Sequence, residues 1–195
     1  MQVGSLQRYA RHERLAGHVG FWWGLAEGLF FFIVPDVYIS YAALFSLRAG
    51  ALAWLTSIAG SMLAIASLYL LMVVLRLDYL AFLAFIPGIS GPLIQRVGQS
   101  LTSHGLPYTP LLVLSGVPLK VYGAQAFSLG LSVAVVLPWA VFARFVRIAP
   151  TFIAVAVLRL LWRQRIDRHP LGWCAVLGLF WIGFYVFYFI RMSQA

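Results

Sequence analysis

Two apolar runs without a single charge, Ala49 to Leu75 and Leu171 to Ile190, are each long enough to cross the roughly 30 Å hydrocarbon core of a bilayer as a helix. They constrain the chain more than any other feature, because backbone groups inside a membrane must be satisfied within helices or closed barrels. A third run, Val121 to Ala143, has the length but carries Pro138. Hydrophobic residues make up 63% of the chain and charged residues 10%, outside the range of water-soluble domains. The expectation is an all-α membrane protein with about three full transmembrane helices.

The net charge of +9 raises the question of nucleic acid. Its arginines flank apolar segments instead of forming one basic face, so no nucleic-acid partner is expected. Arg8, Arg11 and Arg14 precede the first apolar region, and Arg159, Arg163, Arg165 and Arg168 precede the last span. The positive-inside rule puts both clusters in the cytoplasm, which requires an even number of crossings between them. No apolar stretch with a small-residue cleavage site comes after the first arginines, so a removable signal peptide is not expected. Cys174 is the single cysteine and the four histidines are scattered, which predicts neither a disulfide nor a metal site.

Residues 1–19 read as a basic interfacial segment, either a short helix with Leu6, Tyr9 and Ala10 on one side or a disordered anchor. Residues 20–47 are apolar but hold Glu27, Pro35 and Asp36. Pro35 lacks an N–H and pushes Val34 away from helical geometry, so the spacing predicts a broken helix. Broken backbone at membrane depth needs protein or a wet cavity around it, and 20–47 is therefore read as a re-entrant hairpin. Leu93, Val97 and Leu101 recur every four residues opposite Gln95, Arg96 and Gln99, a pattern that suits a helix lying on the membrane surface. Residues 106–130 repeat the proline-bearing apolar pattern around Lys120 and predict a second re-entrant hairpin.

"VPDVYISYAALFSL" (34–47) and "VPLKVYGAQAFSL" (117–129) share VP, VY, an alanine and FSL in order. Paired interrupted segments in two halves are the sequence sign of an inverted repeat with a site near the bilayer midplane. Letting both hairpins cross fully leaves the basic clusters on the same side, so charge alone does not separate the two topologies.

Five ionisable residues fall where hydrocarbon is expected: Glu27, Asp36, Lys120, Arg144 and Arg147. Unpaired at the bilayer centre they would cost on the order of 15 kcal/mol together, comparable to the stability of a whole domain. They must meet each other, water or a ligand. The repeat puts Asp36 and Lys120 at equivalent points, so one expectation is a dry Asp36–Lys120 ion pair. The other is a bound anion, since two acids face three bases and Arg144 and Arg147 lie on one helical face with forks that match phosphate oxygens. Snorkelling to the interface is the competing account of those two arginines. Ser100 and His104, one turn apart, have no third partner, and no catalytic constellation, P-loop or dinucleotide fingerprint is present. The chain is not expected to be an enzyme or to need a cofactor.

"EGLFFFIVPDVYISYAAL" (27–44) resembles the first segment of DedA-like proteins of the VTT (SNARE-associated, Golgi-type) superfamily, in its small bacterial branch. "SGVPLKVYGAQAFSLGLS" (115–132) with "RFVR" (144–147) after it is similar to that branch's second segment. The likeness runs from about residue 20 to 160 and departs at Val34 and Val146, where the branch favours a proline and a small residue. The resemblance implies a membrane domain over 20–160 of inverted-repeat architecture with two facing re-entrant helical hairpins (20–47 and 106–130); beyond it, the charge and apolar pattern reads 161–195 as a cytoplasmic basic loop and a C-terminal transmembrane helix. It implies a multi-pass protein of the bacterial cytoplasmic (inner) membrane that moves phospholipid or polyprenyl phosphate as a flippase or scramblase, with proton coupling in some members. Glu27 and Asp36 would then be proton-coupling acids, and Lys120, Tyr122, Gln125, Arg144 and Arg147 would bind the anionic head group. The alternative is a non-transporting membrane factor that binds lipid or a partner protein in envelope assembly. A homo-oligomer is compatible with either.

Overall fold

A computed structural model describes residues 13–107 and 116–193, with side chains through Arg191. The described residues are helical and contain no strand: α1 (Glu13–Leu29), α2 (Asp36–Phe45), α3 (Leu47–Tyr69, continued by a π-helical turn Leu70–Val74), α4 (Tyr79–Leu83), α5 (Gly91–His104), α6 (Leu119–Ser128), α7 (Val133–Arg168) and α8 (Pro170–Ser193). Three stretches, Leu47–Val74, Val133–Arg168 and Pro170–Arg191, are long and apolar enough to cross a membrane. The chain is a helical membrane protein.

The tightest contact joins α1 to α3. Gly20, Gly24 and Gly28 recur every four residues on one face of α1, and a Cβ at each would collide with Ala53, Ser57 and Ala64 in turn. On α3, a Cβ at Gly60 would collide with the Phe21 carbonyl. Small residues on both surfaces let the two backbones approach closely, which is how apolar helices associate when burial against lipid gives no preference. Partner numbers rise together along both helices, so α1 and α3 are parallel. A parallel neighbour requires the chain to come back between them, and α2 does this. Its end is a one-residue turn at Ser46, whose hydroxyl accepts from the Ala49 N–H at 3.3 Å, while Gly50 admits Ala43 against the first turn of α3.

The reversal between α1 and α2 occupies residues 30–35, beside Ser61 and Ala64, close to the middle of the 28-residue span Leu47–Val74. Helix α6 also runs parallel to α3, with Gly123 on Ile65 and Leu68 and a Phe127–Tyr69 ring contact at 5.4 Å. Helix α7 runs the opposite way: Trp54 of α3 packs on Phe145 and Phe152, and Ser61 meets Arg144. The largest core cluster, with Ile65, Leu68, Leu83, Val121 and Val136, lies where α3 to α7 converge.

The chain turns at 129–132, at the end of the range read as the second hairpin, with Gly130 at φ +79°, a conformation open to glycine. The structure alters three expectations. The boundary expected at residue 19 is not a break in structure: α1 passes through it without interruption, while Leu6, Tyr9 and Ala10 lie outside the described residues. The basic stretch 161–168 is not a loop but the end of α7, kinked at Trp162 (φ −118°, ψ 24°) and tied by an Arg159–Asp167 ion pair of 2.7 Å. The Leu93, Val97 and Leu101 face of α5, joined by Ile94, is buried against the core instead of facing lipid. Most of the second hairpin's first arm, 108–115, lies outside the described residues.

Candidate functional site

Glu27 sits two residues before the end of α1, and Arg144 lies a third of the way along α7. Their side chains form a buried ion pair, 3% and 1% exposed. Arg144 Nε also donates to Ser61 Oγ at 3.0 Å, so α1, α3 and α7 meet at this guanidinium. A charge so placed is tolerable only with a partner of opposite sign and further hydrogen bonds.

Lys120, 1% exposed, approaches from the first turn of α6. Its Nζ donates to the carbonyl oxygens of Glu27 at 2.6 Å and Phe31 at 2.7 Å. The end of a helix leaves carbonyls without intrahelical donors, and a cation there also answers the helix dipole. Tyr79 hydroxyl donates to the next free carbonyl, Leu29. Trp23 Nε1 donates to Ile33 O at 2.9 Å, and the Val34 N–H donates to Tyr185 Oη at 2.8 Å. The turn between α1 and α2 is thus held by side chains from α1, α4, α6 and α8, which satisfy the polar groups of its irregular backbone.

Asp36 opens α2 and is 4% exposed. Its Oδ1 accepts from Thr151 Oγ1 at 2.9 Å, whereas Oδ2 has no hydrogen-bond partner among the described residues. The expected Asp36–Lys120 ion pair is absent among the described residues: the lysine is committed to main-chain carbonyls, and the acid turns to α7. Arg147 is half-buried and has no acid within ion-pair distance among the described residues. It lines two adjoining cavities. One, of about 560 Å³, is also bordered by Asp36, Ser40 and Thr151; the other, of about 50 Å³, by Glu27 and Lys120; both share Val34, Gly116 and Phe184.

Six of the seven residues singled out by sequence therefore gather around one locus. Tyr122 is buried, in edge contact with Trp139 at 5.5 Å, and borders a small recess with Arg144 and Arg147. Gln125 stands apart: its Nε2 donates to Ile94 O at 3.0 Å and its side chain lies over Gly98, so it fastens α5 to α6. The residues the sequence did not point to are Ser61, Thr151 and Tyr185. Thr151 carries a signal in its spacing, since 144, 147 and 151 succeed one another on a single helical face. Ser61 and Tyr185 carry none, being an ordinary serine in a small-residue span and one of nine tyrosines.

Two acids and three bases make the locus net positive by one charge. Buried polar atoms without partners, Asp36 Oδ2 and Arg144 Nη1, lie within it. Such atoms are rare in packed interiors and mark where water or a guest completes the hydrogen bonding. No family model, curated protein or solved structure matches the chain.

Proposed function

We propose that the protein is a small bacterial inner-membrane lipid transporter, a flippase or scramblase of DedA-like type, in which two re-entrant hairpins open a polar path for an anionic head group. The observation that carries this reading is the buried Glu27–Arg144 pair beside a cavity bordered by Asp36 and Arg147. Intramembrane charges at such a cost are characteristic of substrate and proton pathways.

Three features support it. The 30–35 reversal lies beside the midpoint of α3, as a hairpin that enters and leaves on one side requires. Helices α2 and α6 both start just after a proline at that level, Pro35 and Pro118, with their N-terminal ends directed into the locus. Half-helix N-termini favour negative charge, and discontinuous helices are where inverted-repeat carriers hold substrate. Arg147, free of any acid among the described residues, supplies the fork for a phosphate or carboxylate. Asp36, with one unpartnered oxygen, is the group that exchanges a proton if transport is coupled, while Glu27 is held by Arg144.

The test is transbilayer movement of labelled anionic lipid in proteoliposomes. Asp36→Asn and Arg147→Gln are each expected to reduce the rate at least tenfold while the protein stays folded and monodisperse. Wild-type rates in both variants would remove the transport reading. Wild-type protein that moves no lipid yet copurifies with one stoichiometric partner would favour a non-transporting role in envelope assembly.

A further inference from the structure

The large cavity has two ends of different chemistry. Asp36, Ser40, Arg147 and Thr151 gather at one end, near the hairpin tip. From there the space continues between α7 and α8 past Leu44, Val155, Leu158, Trp173, Leu177 and Phe180, none of which offers a charge. Along α7 from Arg147 to Leu158 the distance is ~16 Å at ~1.5 Å per residue. An extended alkyl chain, whose bonds of about 1.5 Å zigzag and advance about 1.25 Å per carbon, covers that length with about 13 carbons.

We infer that this apolar limb is a hydrocarbon-chain subsite, in which one chain of an anionic amphiphile lies between α7 and α8 while its head faces Arg147. The inference rests on the reading of Arg147 as a head-group contact, and it departs from a picture in which the chains stay wholly in the bilayer. Charge complementarity selects the occupant. An uncharged solute would leave the half-buried Arg147 without a counter-ion, and a small inorganic anion would leave the limb unfilled. The furrow on the other side of α8, formed by Ile33, Val37, Ile182 and Val186, has the same apolar character but no charged group at either end, as expected of a surface that faces bulk lipid. Helix α8 is held as the outer wall by Trp181 Nε1 donating to Ser40 Oγ at 3.0 Å, Tyr41 Oη donating to the Cys174 carbonyl at 3.2 Å and the Val34 N–H donating to Tyr185 Oη.

The experiment is native mass spectrometry of the full chain in nonionic detergent, titrated with dodecyl phosphate, inorganic phosphate, dodecanol and a two-chain phosphatidic acid. The expected result is one saturable dodecyl phosphate per chain, held at least tenfold more tightly than inorganic phosphate or dodecanol. Ala154→Trp, which fills the limb, and Arg147→Gln, which removes the head contact, are each expected to weaken it at least tenfold with melting temperatures near wild type; Leu177→Trp replaces the first variant if that one does not fold. Phosphatidic acid binding that is equally sensitive to Ala154→Trp identifies a two-chain lipid as the source of the chain, and insensitivity identifies a single-chain amphiphile. Unchanged dodecyl phosphate affinity in the filled-limb variant, or inorganic phosphate binding as tightly as dodecyl phosphate, overturns the subsite. Binding that behaves as expected in a protein that moves no lipid in vesicles removes the transport reading alone.

Discussion

The ammonium of Lys120 lies 2.6 Å from the carbonyl oxygen of Glu27, the same residue whose carboxylate is taken by Arg144. The second half of the chain therefore grips Glu27 by its main chain and by its side chain at once. This makes the first hairpin's tip a dependent structure, shaped by residues far away in sequence.

Removing one member of the ion pair is expected to cost about 3–5 kcal/mol, because the survivor is left as an uncompensated buried charge. Glu27→Leu and Arg144→Leu should each lower the melting temperature in detergent markedly. The double variant should recover most of the loss, since two apolar groups of similar reach replace both charges. A double variant less stable than either single one would show that the pair itself stabilises the fold.

Lys120→Met should loosen the tip without unfolding the spans. The carbonyls of Glu27 and Phe31 lose their donor, and each unsatisfied buried acceptor costs roughly 1–3 kcal/mol. A cysteine at Phe32, labelled with a membrane-permeant maleimide, should react several-fold faster in this variant than in wild type, and Lys120→Arg should restore part of the protection. Equal labelling in all three proteins would detach the lysine from tip geometry.

At Gly24 a single methyl has no room, as the added carbon would fall on the Ser57 carbonyl. Gly24→Ala is expected to destabilise by about 1–3 kcal/mol, the usual range for overpacking. Gly183→Ala is the control, since nothing lies within 4 Å of the added carbon. Comparable melting temperatures for the two variants would contradict the close α1–α3 approach.

Thr151→Val removes the hydroxyl that Asp36 Oδ1 accepts from while conserving volume. Both carboxylate oxygens then lack a hydrogen-bond donor among the described residues, and an unsatisfied buried acceptor costs roughly 1–3 kcal/mol. The expected outcome is a melting temperature in detergent clearly below wild type, with Thr151→Ser close to wild type. Equal melting temperatures for the valine and serine variants would show that the Thr151–Asp36 bond does not tie α2 to α7.

Much of this architecture was legible in the amino-acid pattern where a rule has no competitor. Uncharged apolar length marked Ala49–Leu75 and Leu171–Ile190, which fall on the long apolar helices Leu47–Val74 and Pro170–Arg191, and Pro35 marked the break that α1 and α2 flank. The end of the second proline-bearing segment at residue 130 coincides with the turn at 129–132, where Gly130 interrupts the apolar run. The convergence of the buried charges could be inferred from their cost in lipid, but their partners could not. Lys120 bonds to main-chain oxygens, which every residue possesses and no composition reveals. Gln125 went astray for a related reason: a polar residue on a mostly apolar half-helix reads as a ligand contact, yet its neighbour α5 presents a carbonyl at the right height.

The parallel seating of α1 on α3 bears on how the molecule is made. As the polypeptide leaves the ribosome, α1 and α2 emerge before the helix that supplies their docking surface, and Glu27 emerges long before Arg144. The contacts that fix the tip of the opening hairpin can therefore form only once α6, α7 and α8 have been made, so the last helices synthesised set the geometry of the first turn.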